Sequence, residues 1–150
     1  MTNPLLTPSE LPHGLPPFAA IREEHFEPAF EAGVAEQVAE LDAIAADPRP
    51  ATFENTMLPL ERSGQTLART LYAFWTVTGS ESTPALRELE ERIAPRLAAH
   101  QDAITLNASL YARISAIRDA IPHDATKTAE ERWLVEQWHQ GEISGSWLRR

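Results

Sequence analysis

The spacing of the apolar residues is the strongest constraint on the fold of this chain. In four long stretches they recur every three or four residues, which is the period of one face of an α-helix. No stretch of useful length alternates as a strand would. The stripes are Phe30, Val34, Val38, Leu41 and Ala45; Leu60, Gly64, Leu67, Leu71, Phe74 and Thr78; Leu86, Leu89, Ile93, Leu97 and Ile104; and Leu110, Ile114, Ile117 and Ile121. The sequence therefore predicts an all-α protein, an antiparallel array of helices.

Prolines and capping residues predict where the first two helices begin and end. Pro28 suits the first position of a helix, because its missing N–H needs no partner there, so the first helix is predicted over residues 28–46. The second is predicted to follow "TFENTM", with Asn55 or Thr56 as its cap, and to end near Gly79. Tyr72, Trp75 and Val77 widen its apolar stripe, which indicates burial on more than one side.

The remaining helices carry clearer local signals. Thr83 followed by proline predicts the start of a third helix, and Pro95 inside it predicts a bend, a break or two shorter helices. A fourth is predicted to begin after Asn107 and to end at Pro122. The fifth begins with the capping box of Thr128 and Glu131 and is predicted to run to about Gln140, with Gly141 after its end.

We predict three regions. Residues 1–20 contain five prolines, which rule out a long helix, and form an extended strap that Leu11, Leu15 and Phe18 would tether to a core. Residues 21–140 form the helical domain. Residues 141–150 form a divergent tail.

Composition excludes several classes of protein. The chain has 150 residues, which suits one domain or part of a larger one, and a net charge of −9, which argues against a nucleic-acid partner. It has no cysteine, and hence no disulfide, thiolate metal site or cysteine nucleophile. Neither a signal peptide nor an apolar stretch long enough to span a membrane is present, so we expect a cytoplasmic protein.

Two groups of residues invite a functional interpretation. Glu136 and His139 have the Glu-x-x-His spacing of some metal sites, but one such pair without further carboxylates is more typical of an ordinary helix end. His25 lies among Glu23, Glu24 and Glu27, a patch that would suit a cation or a solvated helix start.

Other features indicate structure rather than chemistry. The aromatic run "LYAFW" would line a ligand groove or, more commonly, a core. Ser63-Gly64 predicts a close approach of another helix. The five histidines are never four residues apart, so no H-E-x-x-H helix exists, and no serine or cysteine nucleophile motif is present. From the residues alone, no catalytic, cofactor-binding or metal-binding residue is predicted.

Longer stretches resemble a known family. "MTNPLLTP", "LPPFAAIREEHFEPAFEAGVAEQVAELDAIAADP", "TFENTMLPLERSGQTLAR" and "LNASLYARISAI" are similar to the N-terminal part of the thimet oligopeptidase family of zinc metallopeptidases. The peptidyl-dipeptidase and oligopeptidase A branch is the most similar. The resemblance extends over almost the whole chain, from about Asn3 to Gln140.

This resemblance implies a large, bilobed, nearly all-α enzyme that cleaves short peptides in a deep channel. The N-terminal helices would form part of the channel wall. Zinc would be held by an H-E-x-x-H helix and a later glutamate, all downstream of residue 150, so no family ligand falls on a residue of this chain. Relatives continue differently after the "LVEQWHQ" helix, whereas this chain continues with "GEISGSWLRR".

We therefore expect a truncated N-terminal portion of such a peptidase, inactive alone and without its own zinc. Two alternatives remain open: a stand-alone helical module that binds peptides or a partner, and a non-catalytic subunit of a split peptidase. The expected partners are the missing catalytic region or a second copy of the chain.

Overall fold

The all-α class is confirmed by the computed structural model, which describes residues 2–140 and has no strand within them. The helices are α1 (Glu23–Ala45), α2 (Leu58–Arg62), α3 (Gln65–Ser80), α4 (Pro84–Thr105), α5 (Ala108–Ala120) and α6 (Ala129–His139). A π-helical turn, Phe53–Met57, leads into α2, and 3₁₀ turns occupy Pro12–Gly14, Phe18–Ala20 and Ile121–His123. The predicted tail and Gly141 lie outside the described residues.

Helix α1 begins earlier than predicted, at Glu23 instead of residue 28. The Arg22 N–H donates a 3.0 Å hydrogen bond to His25 Nδ1, so the histidine ring caps the helix start. Glu23 also places a carboxylate beside the positive end of the helix dipole. Pro28 lies in the interior, and the Glu24 carbonyl, which would accept from residue 28, lacks that donor. Glu24 and Pro28 are both exposed, so water can donate to the Glu24 carbonyl in place of the missing N–H.

The predicted second helix is two helices. The cap of the π-helical turn that leads into α2 is Thr52, instead of the predicted Asn55 or Thr56, and it forms a capping box with Asn55. The helix then stops at Ser63, and Gly64 adopts a left-handed conformation with φ of 71°. A Cβ at Gly64 would meet the flexible end of the Gln37 side chain, which can move, so it is the left-handed turn that favours glycine here.

Helix α4 continues through Pro95 without the predicted break. Pro95 and Glu91, whose carbonyl loses its donor, are both exposed, so solvent again satisfies the free group.

The predicted start of α5 after Asn107 and the predicted capping box of α6 are confirmed. Asn107 Oδ1 accepts the Leu110 N–H at 3.0 Å. In α6, Thr128 Oγ1 accepts the Glu131 N–H at 3.1 Å, and the Glu131 carboxylate accepts the Thr128 N–H at 2.7 Å.

The chain divides into two compact units. The first comprises Met1–Ala39 and Gly64–Ala98. Its core contains Leu5, Ile21, Phe26, Ala29, Phe30, Leu67, Leu71, Ala73, Phe74, Leu86, Leu89, Ile93 and Leu97. Phe26 and Phe74 meet edge to face, with ring centroids 5.3 Å apart. Gly33 brings α1 close to α3, because a Cβ there would lie 2.7 Å from the backbone of Leu67.

The second unit comprises Glu40–Ser63 and Ala99–Arg150. Its buried cluster consists of Leu41, Ile44, Phe53, Met57, Leu60, Leu110, Ile114, Ile117, Ile121 and Val135. The predicted inward face of α5 is therefore confirmed. Val38, placed on the inward stripe of the first helix, is instead 43% exposed.

The strap has no long helix, but its anchors differ from those predicted. Leu5 is fully buried and Pro16 is buried, whereas Leu11, Leu15 and Phe18 are 47%, 50% and 40% exposed. The prediction that these three side chains tether the strap is therefore wrong.

Candidate functional site

Glu136 and His139 lie on α6, where each contacts a side chain of α5. Glu136 Oε1 accepts a 2.8 Å hydrogen bond from Arg118 Nε, and this bond lowers the pKa of the Glu136 carboxyl. The ring of His139 lies against Tyr111, with centroids 4.9 Å apart. The structure thus uses both residues to join two helices, and it does not bring them together with further ligands.

The neighbouring tryptophans differ in environment. Trp138 Nε1 donates a 2.5 Å hydrogen bond to Glu61 Oε1, which ties α6 to α2. Trp133 is 61% exposed. The end of α6 is therefore a packing surface of the second unit, with one aromatic face left in solvent.

The acidic patch around His25 forms one side of a groove of about 500 Å³ in the first unit. Glu23 Oε1 accepts a 2.8 Å hydrogen bond from Thr83, and Glu27 forms an ion pair with Arg92 at 3.1 Å. The hydrogen bond from Arg92 lowers the pKa of the Glu27 carboxyl. His25 caps α1. The carboxylates of Glu23 and Glu27 connect α1 to Thr83, just before α4, and to Arg92 within α4.

The aromatic run "LYAFW" is mostly core, as the more common interpretation holds. Leu71, Ala73 and Phe74 are buried, and Trp75 is half-buried against Phe74 at a centroid distance of 5.0 Å. Tyr72 is 56% exposed, so the burial predicted for that side of the helix is wrong at this residue.

Arg113 is the most connected polar side chain that sequence reasoning missed. It donates hydrogen bonds to the carbonyl oxygens of Asp47 (2.8 Å) and Arg49 (3.1 Å). It also donates to Asn55 Oδ1 at 3.0 Å and Thr56 Oγ1 at 3.1 Å. Its side chain is only 11% exposed. The "FENT" motif thus stabilises a turn, and the guanidinium of Arg113 joins that turn to α5.

His100 is the buried titratable residue that was also missed. It is 8% exposed, and desolvation lowers its pKa. The sequence did contain a signal, because residue 100 continues the stripe of Ile93, Leu97 and Ile104.

Within residues 2–140, no three His, Asp or Glu side chains are grouped so that they could hold a metal ion. In the same part of the chain, no helix is long and apolar enough to cross a membrane. The contacts described above are those of helix ends and helix packing.

Comparison with known proteins gives a consistent result. No protein-family model matches the chain. It is 40% identical over 139 residues to a dipeptidyl carboxypeptidase of Salmonella typhimurium, a match that covers 93% of this chain and 20% of that protein. Identity to the Escherichia coli dipeptidyl carboxypeptidase is 37%, in a match that covers 92% of this chain and 20% of that protein. Identity to Escherichia coli oligopeptidase A is 30%, in a match that covers 97% of this chain and 21% of that protein.

The matches extend along nearly all of this chain, which spans about one fifth of the length of these relatives. The resemblance read from the sequence is therefore confirmed. By sequence, the chain is similar to dipeptidyl carboxypeptidase and oligopeptidase A, and its match to one fifth of those proteins is consistent with an N-terminal segment of that family.

Proposed function

We propose that the chain supplies the N-terminal helical region of an oligopeptide-cleaving zinc metallopeptidase and does not hydrolyse peptides by itself. The observation that carries this proposal is the match of nearly the whole chain to one fifth of named peptidases, in a sequence that has no H-E-x-x-H motif. The catalytic groups would lie in sequence beyond these 150 residues, in the same polypeptide or in a separate one.

The chemistry of zinc hydrolysis supports the absence of activity in this segment. A catalytic zinc needs three protein ligands and an open position for water. Of the two candidate ligands in the last turns of α6, Glu136 is paired with Arg118, and the ring of His139 packs against Tyr111. His25 accepts the Arg22 N–H, and Glu27 is paired with Arg92.

The helices would act by shaping access to a catalytic centre held elsewhere, as the family resemblance implies for a channel wall. Short peptides would then be the substrates of the whole enzyme, and zinc its metal. The cytoplasmic location is likewise a proposal, which fractionation of cells expressing the chain would test.

The test of activity is direct. The purified chain is incubated with an internally quenched oligopeptide, with and without zinc, beside a full-length dipeptidyl carboxypeptidase as positive control. We expect cleavage at the level of a mock purification. Turnover that co-purifies with the chain and disappears with a chelator would contradict the proposal.

The role as a peptidase region is tested separately in a chimaera. This chain replaces the matching fifth of a full-length dipeptidyl carboxypeptidase, which is 40% identical over that stretch. We expect a folded, active peptidase. A chimaera that fails to fold or to cleave peptides would favour the stand-alone binding module.

A further inference from the structure

The strap is held firmly at both ends. Near its start, the Asn3 side-chain amide donates a 2.7 Å hydrogen bond to the His25 carbonyl, and Arg69 Nε donates to the Leu5 carbonyl at 3.0 Å. At its other end, Ile21 is 8% exposed and leads into α1. The strap is thus a closed loop of the first unit, anchored to α1 and α3.

Between these anchors the strap presents apolar side chains to solvent. Leu6, Leu11, Leu15 and Phe18 are 42%, 47%, 50% and 40% exposed. One exposed leucine is ordinary, but four large apolar residues in one short loop are typical of an interaction surface. Among residues 2–20 the only Asp, Glu, Lys or Arg is Glu10, in a protein with 23% charged residues. Depletion of charge is the composition expected at the core of an interface.

The backbone of the strap is already ordered in the absence of a partner. Its prolines restrict the backbone, and hydrogen bonds close its turns, such as Gly14 N–H to the Leu11 carbonyl at 3.0 Å and Ala20 N–H to the Pro17 carbonyl at 2.8 Å. A loop that is already ordered loses little conformational entropy when it docks.

We propose that the strap is a docking surface for the catalytic region of the peptidase, an inference that rests on the function proposed above. The relatives carry about four fifths of their length beyond the part that this chain matches, so a large surface is available to cover it. A second copy would bring together two chains of net charge −9, which repel each other. A membrane surface would favour Lys or Arg, and residues 2–20 contain neither.

The experiment compares one triple variant in two contexts. Leu11→Ser, Leu15→Ser and Phe18→Ser are combined, first in the isolated chain and then in the chimaera described above. The control combines Val38→Ser, Tyr72→Ser and Leu106→Ser, whose side chains are 43%, 56% and 80% exposed. Thermal midpoints of all six proteins are measured, with light scattering on the isolated chains.

We expect the strap variant to lower the melting temperature of the isolated chain only slightly, because the replaced side chains are already 40–50% exposed there. In the chimaera the same variant should melt several degrees lower, while the control variant changes neither protein. A strap variant that leaves the chimaera as stable as before, or a control that lowers it equally, would overturn the docking surface but leave the proposed function standing.

Two further outcomes have distinct meanings. An unmodified chimaera that does not fold would overturn both proposals. An isolated chain that is dimeric, and that the strap variant makes monomeric, would identify a second copy as the occupant and overturn the assignment to the catalytic region.

Discussion

The two compact units hold their helices together by different means. In the first, α1 and α3 approach until the backbone of Leu67 fills the space beside Gly33, and aromatic rings pack around Phe74. In the second, an aliphatic cluster is accompanied by Arg113, which bonds four acceptors in the turn before α2. The first unit should therefore be sensitive to changes of volume, and the second to the loss of one guanidinium.

The largest effect is expected for Phe74→Ala in the first unit. Phe74 is 1% exposed and contacts both Phe26 and Trp75, so its truncation leaves a cavity that neighbouring rings cannot fill. We expect the free energy of unfolding to fall by about 3–5 kcal/mol. Urea unfolding measures it, with Tyr72→Ala as the control, since Tyr72 is 56% exposed. Equal midpoints for Phe74→Ala and the unmodified chain would contradict the assignment of the core.

The next effect is expected for Arg113→Met in the second unit. The replacement retains much of the side-chain volume but removes a donor from the carbonyls of Asp47 and Arg49 and from Thr56 Oγ1, whereas Asn55 Oδ1 keeps the Thr52 N–H and the Thr56 hydroxyl. We expect a loss of about 1–3 kcal/mol, because Thr56 is buried and a buried polar group that loses its partner is costly.

Arg118→Met is the matched control on the same helix. Arg118 is 44% exposed and forms one ion pair, with Glu136, so its removal should cost about 0–1 kcal/mol. If the two variants unfold at the same urea concentration, the Arg113 contacts contribute no more than a surface ion pair, and the contrast between the units fails.

A smaller effect is expected for Gly33→Ala. The new methyl group would lie 2.7 Å from the Leu67 backbone, and α1 and α3 would have to separate. Overpacking of this kind costs about 1–3 kcal/mol, and the helix propensity of alanine offsets about 1 kcal/mol of it. Gly79→Ala is the control, because Gly79 lies in α3 with open space around it. We expect this variant to unfold at a higher urea concentration than the unmodified chain. The same sign of change for both variants would show that α1 and α3 are not in close contact at Gly33.

The parts of this fold that sequence predicts well depend on local chemistry. Asn107 and Thr128 each bond a backbone N–H three residues later, so α5 and α6 begin where their capping residues indicate. The start of α1 was missed because a histidine nitrogen, rather than a carboxylate or hydroxyl, accepts the capping hydrogen bond.

The parts that were missed depend on distant residues. The position of Gly64 beside Gln37 and the exposure of Pro95 and Tyr72 depend on which face of each helix packs inward. The polar contacts were also missed because they join residues that are distant in sequence. Arg113 reaches backbone carbonyls more than 60 residues away in sequence, and no local pattern marks a carbonyl as an acceptor. Glu136 and His139 lie at the end of α6, as predicted, but their partners on α5 became known only from the structure.

The smallest effect concerns the pH dependence of the second unit. Hydrogen bonds from Arg49, together with the charge of Arg113, lower the pKa of Asp47 to about 2 from an ordinary 3.8. Because the folded protein holds this carboxyl ionised more strongly than the unfolded chain does, Asp47 contributes stability above pH 3.8, and that contribution is lost as the pH falls toward 2. We expect the urea midpoint of the unmodified chain to fall more steeply over that range than the midpoint of Asp47→Asn, which has no carboxyl to protonate. Asp102→Asn, at an exposed position of α4, should retain the steeper dependence. Parallel curves for Asp47→Asn and the unmodified chain would mean that the cluster of Asp47, Arg49 and Arg113 does not act on folding through charge, and that Arg113 stabilises the turn by its hydrogen bonds alone.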